Sequence, residues 1–361
     1  MRSAFSSPVI HWLGWCFPLI LFILISSNFS EGVLLDLPVS VIDNDKSPLS
    51  KELIYKLNAG SHARLSVSSG VPEAAQRLSR AQDYALLYIP GNFEADLLNG
   101  KQPHVVMYYN ALFYGSGLYA TQDFSGLMAE INTSYRAIIS RSVGIAVPPL
   151  ASISLNYGGL FNASGSYIYY QQFAATIHLL QLFTVTCMIY LLNQRRTVIK
   201  GSNWGGKLLG RLAPYTLSYT VLLLAEIALL VFVFNARVSG NPVFMLLLSF
   251  FYVIAVQSIG ILLFTFTRTV ITAYTLTGIF VGIALTFSGM AVPELSIPFL
   301  AQIITEIQPL THVLNAMFDV FLRLVPSYGI LKVCLLLLIW PVMTYFLVRR
   351  RLPKRLLSAE T

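Results

Sequence analysis

Residues 243–292 read VFMLLLSFFYVIAVQSIGILLFTFTRTVITAYTLTGIFVGIALTFSGMAV, broken by a single charge, Arg268. On either side of that arginine stand two uncharged runs, 243–267 and 269–292. Each is long enough to cross a bilayer as a helix, which takes about 20 apolar residues. Working outward, residues 173–192, 212–234 and 327–348 have the same length and apolar texture. A soluble core cannot enclose five such helices. Lipid demands them, because each backbone polar group must be satisfied inside its own segment. A sixth apolar run, 9–29, opens with Trp12 and Trp15 and contains Pro18. Read as a cleaved leader it would need a small-x-small site, which Asn28-Phe29-Ser30 is not, so it is taken as a retained anchor. The sequence therefore predicts an α-helical membrane protein with six transmembrane helices.

Composition agrees with this class. Of 361 residues, 55% are hydrophobic and 11% charged, outside the globular range. The net charge of +8 is unevenly placed. Residues 31–170 hold nine Lys/Arg against eleven Asp/Glu, while the rest of the chain holds fifteen against five. The surplus thus lies beside the apolar runs, where it reports topology. No soluble segment gathers the basic patch that nucleic acid would need. Cys16, Cys187 and Cys334 fall far apart inside apolar runs and read as small buried hydrophobes. Segment 31–170 has no cysteine and so no disulfide framework.

Between the first two runs the texture changes to charged, turn-rich and alternating. Strands are predicted at Leu37–Asp43, Ala63–Ser68, Tyr84–Ile89 and His104–Tyr109. Helices are predicted at Pro48–Leu57 (entered through Ser47), Pro72–Gln82 and Phe93–Leu98, with a long one over 116–145. Strands and helices alternating at this spacing imply a small α/β domain with a mixed sheet. The expected organisation is a cytoplasmic N-terminus with helix 1 over 1–30 and the α/β domain over 31–170. Five further helices fill 171–348, and a basic tail follows over 349–361.

Orientation follows from the loops. Arg195, Arg196, Lys200, Lys207 and Arg211 separate the second and third runs with no acid among them; Arg268 separates the fourth and fifth; Arg349, Arg350, Arg351, Lys354 and Arg355 follow the sixth. Lys and Arg are retained on the cytoplasmic side. Placing all three groups inside puts both termini in the cytoplasm and 31–170 outside.

Several stretches carry chemistry. Gly201-Ser-Asn-Trp-Gly-Gly206-Lys207 has the spacing of a phosphate-binding loop, but Leu208 stands where Ser or Thr should hold magnesium, and no nucleotide domain surrounds it. The chain is expected to hydrolyse no nucleotide, and nothing in it resembles a metal cluster or a nucleophile triad. The same loop, 194–211, is basic and short and carries an aromatic, Trp204. It reads either as retention charge with headgroup contact or as a short interfacial helix seated in a partner ATPase, with Trp204 as apolar anchor. Residues 288–312 contain Ser288, Gly289, Pro293, Pro298, Pro309, Thr311 and His312 around apolar stretches too short to cross. Broken helices at membrane depth must be buried in protein or line a wet cavity. A re-entrant hairpin over 293–325 is therefore expected, with a plain amphipathic surface loop as the other reading. Glu226 lies near mid-depth of the third run, where a carboxylate is expensive and usually functional. It could bind a cationic group of a cargo, move protons, or be a satisfied structural acid. His178 and Gln181 share one face of the second run and are expected to hydrogen-bond between helices.

With these residues in view, the chain resembles the permease subunit of an ABC-2 type exporter, in the branch with a large periplasmic domain after the first helix. The resemblance covers nearly the whole length. It rests on Ser288-Gly289-x3-Pro293-x4-Pro298 followed by Pro309-Leu310-Thr311-His312 and a short amphipathic helix at Val313–Leu324. In the outer segment it rests on Val41-Ile42-Asp43-Asn44-Asp45 with Ser50, and on Ile89-Pro90-Gly91-Asn92-Phe93 with Leu97 and Gly100. Leu160-Phe161-Asn162 is similar to the family's Asn-Pro element, though Ala163 follows. Gln194-Arg195-Arg196-Thr197 stands where the family often has an acidic-x-Gly signature. The resemblance implies a transport subunit without catalysis or cofactor of its own, with ATP and magnesium held by separate cytoplasmic ATPase subunits. It implies a second permease subunit, like or unlike, and allows a periplasmic adaptor and an outer-membrane channel. The cargo would be an amphiphilic or hydrophobic molecule, such as a drug or lipid, moved outward across a bacterial inner membrane. Arg195, Arg196, Lys200, Trp204, Lys207 and Arg211 would couple to the ATPase. Ser288, Gly289, Pro293, Pro298, Pro309 and His312 would form the gate. Two rival readings are a non-transporting receptor or scaffold built on the outer domain, and an ion-coupled carrier using Glu226.

Overall fold

In the computed structural model of the chain the described residues are 7–28, 34–80, 82–99, 101, 103–110, 114–143, 166–194, 204–288, 298–323 and 326–358. They form two compact units, one of 33–157 and one of 1–32 with 158–361.

The chain starts with α1 (Pro8–Ser27), 20 residues of high hydropathy. Its first turns carry a π-helical segment, Trp12–Cys16, in which the Phe17 amide reaches back to Trp12 O. Pro18 explains it: proline cannot donate into the ladder and its ring crowds the preceding turn, so the helix widens there.

The unit 33–157 follows the expected order closely. It comprises β1 (Leu37–Asp43), α2 (Pro48–Asn58), β2 (Ala63–Val67), α3 (Val71–Ser79), β3 (Ala85–Ile89), α4 (Phe93–Leu98), β4 (Val106–Tyr109) and α5 (Tyr114–Val143). The sheet order is β2-β1-β3-β4. β1 runs parallel to both neighbours, with Val39 opposite Leu65 and Ala85, and β4 closes the edge antiparallel to β3. A parallel centre must be covered on both faces, and it is. Val41, Leu87, Ile89, Leu53 and Leu57 pack with Phe93, Leu127 and Ile131 on one side, and Ile42, Leu86 and Ala74 pack on the other. The Val41–Ser50 stretch is fixed by local chemistry. Asp43 accepts from the Asp45 and Lys46 amides and from Ser50 Oγ at 2.8 Å. Ser47 caps α2 by accepting from the Ser50 amide at 3.1 Å.

The second unit continues with α6 (Phe173–Asn193), α7 (Trp204–Phe232), α8 (Val243–Phe266) and α9 (Val270–Thr286). Then come α10 (Phe299–Ile307), α11 (Pro309–Phe318), α12 (Ser327–Val348) and α13 (Leu352–Ser358). Helices α1, α6, α7, α8 and α12 are long and apolar enough to cross a membrane. Of the sixth expected crossing, 269–292, the described residues are helical over the 17 of α9. At 1.5 Å per residue that is about 25 Å, short of a bilayer core of about 30 Å. Just past the end of α9, Ser288 Oγ turns back onto Leu285 O at 2.7 Å. α12 bends at Leu338, where the Leu338 amide bonds only three residues back to Leu335 O; Pro341 supplies the cause.

The centre of this unit is the α6–α8 seam. A Cβ on Gly260 would lie 2.8 Å from Met188 Cβ and 3.2 Å from Val185 O, so the backbones meet where only glycine fits. Tyr252 Oη donates across the seam to Ile177 O at 3.2 Å and Gln181 Oε1 at 3.3 Å. Tyr219 Oη donates to Phe183 O and Leu13 O at 3.2 and 3.3 Å, tying α7 to α6 and α1. Gln181 thus makes the interhelical bond expected of it, whereas His178 Nδ1 is buried without a partner among the described residues. Of the cysteines, Cys187 and Cys334 are buried, but Cys16 is exposed on α1, contrary to expectation. It sits in the π-helical turn of a helix whose apolar window is only 28% buried.

Candidate functional site

The helix ends of the second unit gather at two sides. At one, Gln172 Nε2 donates to Ser26 Oγ and the Arg237 amide donates to Tyr169 Oη. There the Ser239 and Gly240 amides also donate to Phe321 O and Val320 O at 2.9 and 2.8 Å. At the opposite side lie the start of α7, the α8–α9 connection and the tail. Segments 204–211, 267–269 and 348–358 carry eight cations and no acid. They are Lys207, Arg211, Arg268, Arg349, Arg350, Arg351, Lys354 and Arg355.

Arg195, Arg196 and Lys200 lie outside the described residues, but the second half of their loop does not. From Trp204 onward it is helix, continuous with α7 through Pro214 to Phe232. The described part is therefore no separate interfacial helix but the first two turns of a crossing helix. Leu208 and Leu212 turn inward, each 6% exposed, while Lys207 faces outward. Trp204 is half-buried, its ring stacked on Tyr345 of α12 at 5.8 Å and 15°. Part of its apolar surface lies against α12.

At the other side, Gly289 and Pro293 lie outside the described residues, as does Asn162. Ser288 is buried and lies two residues past the end of α9. Pro298 precedes α10, which shows Phe299, Leu300, Ile303 and Ile307 on its surface. Pro309 starts α11. A residue before proline is pushed out of the helical region, so Gln308 is extended (φ −85°, ψ 117°) and α10 and α11 are separate helices of 9 and 10 residues. Neither is long enough to cross. The break is buttressed from two directions. Gln308 Nε2 donates to Phe280 O of α9 at 3.1 Å, and Trp340 Nε1 donates to Ile307 O at 3.1 Å. His312 Nε2 sits 2.9 Å from Glu306 O, with its ring tilted against Trp340 at 5.6 Å. Leu310, Val313 and Leu314 are buried, so α11 is packed in protein rather than lying on the surface.

Glu226 is 3% exposed, and its Oε2 has no partner among the described residues. It lies six residues from the end of α7. It lines a narrow cleft where α1 (Pro18, Phe22, Ile25) passes α6 (Thr176, Leu179, Phe183).

One feature went unread in the sequence. The tail folds as α13 and docks on α8, with Leu352 and Leu356 buried, Arg355 over the Phe264 ring at 4.4 Å and Arg351 over Phe266 at 4.8 Å. Arg355 Nη1 also donates to Thr267 O. The signal was present as apolar residues four apart, Leu352 and Leu356, alternating with Arg351 and Arg355, but the arginines read as topology alone.

Compared with known families, residues 10–349 match the model described as ABC-2 family transporter protein. No curated protein matches the chain.

Proposed function

Since the chain belongs to the ABC-2 transporter family, and so is a multi-pass membrane permease subunit that works with an ABC ATPase, we propose that it exports an amphiphilic or hydrophobic cargo. The cargo moves outward across a bacterial inner membrane. In this reading α9 makes the sixth crossing with the residues that follow it, both termini are cytoplasmic, and 31–170 is a periplasmic domain that gates release or hands cargo to an adaptor and outer-membrane channel. A second permease chain, like or unlike, pairs with this one, and two cytoplasmic ATPase subunits hold ATP and magnesium.

The observation that carries the reading is the Trp204–Tyr345 stack at the cationic side. A push on residues 195–211 reaches α7 directly, because the loop's second half is that helix, and reaches α12 through the stack. Nucleotide on the partner supplies the differential binding that a two-state change requires. The α10–α11 break, with Pro298, Pro309 and His312, serves as the outer gate, completed by Ser288, Gly289 and Pro293. The membrane lipid covers the exposed faces of α1 and α12, which are only 28% and 22% buried, where the second permease chain does not.

The test is co-purification with the ATPase. Reversing Arg195, Arg196 and Lys200 to Glu is expected to abolish it while leaving the folded chain in the membrane; unchanged co-purification overturns the coupling role. A second reading, an ion-coupled carrier, is favoured by the orphaned Glu226 alone. It is separated by vesicle transport that survives collapse of the proton gradient but stops without ATP, the outcome expected here.

A further inference from the structure

The cleft between α1, α6 and α7 has walls of Phe22, Ile25, Leu179 and Phe183 and one ionisable group, Glu226. The free space in it is about 10 Å³, the room needed to hold one water-sized group. Glu226 is more than nine-tenths buried, and its Oε2 meets no donor among the described residues. A buried carboxylate oxygen without a donor is costly unless something completes it. The other polar side chain lining the cleft does not: Thr176 Oγ1 donates to its own helix at Gln172 O, 2.9 Å away. The cleft therefore offers one unfilled carboxyl oxygen, Glu226 Oε2, within an apolar wall. The complement is a small group rich in N–H donors, positively charged, on an apolar stem.

We propose that this cleft is a subsite for the primary ammonium group of a cationic amphiphile, with Glu226 as its counter-ion and the apolar chain leaving the cleft past Phe22, Ile25 and Leu179. This rests on the exporter reading and narrows its cargo class. An ammonium group matches the size of the space, while a trimethylammonium group exceeds it. A hydroxyl fits but brings no charge.

The full chain in phosphatidylcholine nanodiscs, without ATPase or nucleotide, tests this by equilibrium binding of radiolabelled dodecylamine, with empty nanodiscs subtracted. Dodecanol and dodecyltrimethylammonium are the comparison ligands. Saturable binding is expected, at least about tenfold tighter than for either comparison, as one charge-assisted bond implies. Glu226→Gln, which keeps shape and removes charge, is expected to lose that margin, and Glu226→Asp to recover part of it. Equal affinity in Glu226→Gln, or dodecanol bound as tightly as the amine, overturns the subsite. Vesicles with the ATPase partner separate the two claims. ATP-driven dodecylamine uptake undiminished by Glu226→Gln overturns the subsite and leaves the exporter standing. Glu226-dependent binding without any ATP-driven uptake keeps the subsite and removes the exporter.

Discussion

Asp83 shows how one side chain sets conditions for the α/β unit. Its carboxylate is fully buried, held by Arg77 Nε and Nη2 at 2.7 and 2.8 Å and by Ser40 Oγ. Burial alone would raise its pKa, but the Arg77 and Ser40 hydrogen bonds outweigh that and hold it below the usual carboxylate range. A folded-state pKa below the unfolded value of about 3.9 gives stability that is present above that pH and lost as pH falls beneath it. Protection of β1 and β3 amides from hydrogen exchange is thus expected to be flat at neutral pH and to drop below about pH 4. Arg77→Ala leaves the buried acid half-satisfied and is expected to cost about 1–3 kcal/mol, read by the same exchange experiment in the intact protein. In the membrane unit, Gly260→Val drives a branched side chain into Met188 and the Val185 carbonyl. A loss of about 1–3 kcal/mol is expected, seen as a lower melting temperature in detergent and partly restored by adding Met188→Ala. Glu226 and Asp83 also differ in legibility. Hydropathy placed Glu226 inside a crossing helix, but which helices would leave it without a donor depends on packing that a linear pattern does not carry.

Among the elements, α13 and the start of α7 matter most, because they lie at the cationic side. Truncation after Arg351 removes the Arg355 contacts with Phe264 and Thr267. The freed end of α8 is expected to gain mobility, detected as broader distance distributions between spin labels on α8 and α9. Trp204→Ala removes the stack on Tyr345, worth about 0.5–1.5 kcal/mol beyond area burial. ATPase co-purification is expected to persist while ATP-driven transport falls; loss of co-purification instead would show Trp204 to be the partner's anchor. The strands and helices of 33–157 were legible almost residue by residue, since alternation, the Ser47 cap and the turn at Gly91-Asn92 act locally. Asn92 takes the left-handed conformation, φ 62°, which asparagine tolerates. The helix ends of the membrane unit were less legible. Hydropathy has no punctuation for a helix continuing past its apolar stretch, as α7 does back to Trp204, or stopping inside one, as α9 does at Thr286.

For the whole molecule, the sidedness read from Lys and Arg is directly checkable. Cysteine placed at Tyr55, which is 75% exposed, is expected to react with an impermeant maleimide from outside intact cells, and cysteine at Lys354 only after the membrane is opened. The reverse pattern would invert the entire assignment, so the pair is best done in a Cys16→Ser background. The glycine contact at Gly260 has a consequence at this scale. Two helices whose main chains touch, and which are also pinned by a tyrosine, cannot glide along each other by a turn without collision. They form a fixed mast. Whatever stroke the partner ATPase delivers must be taken up by the outlying rods that lean on it, α1 and α12, each already softened by its own proline.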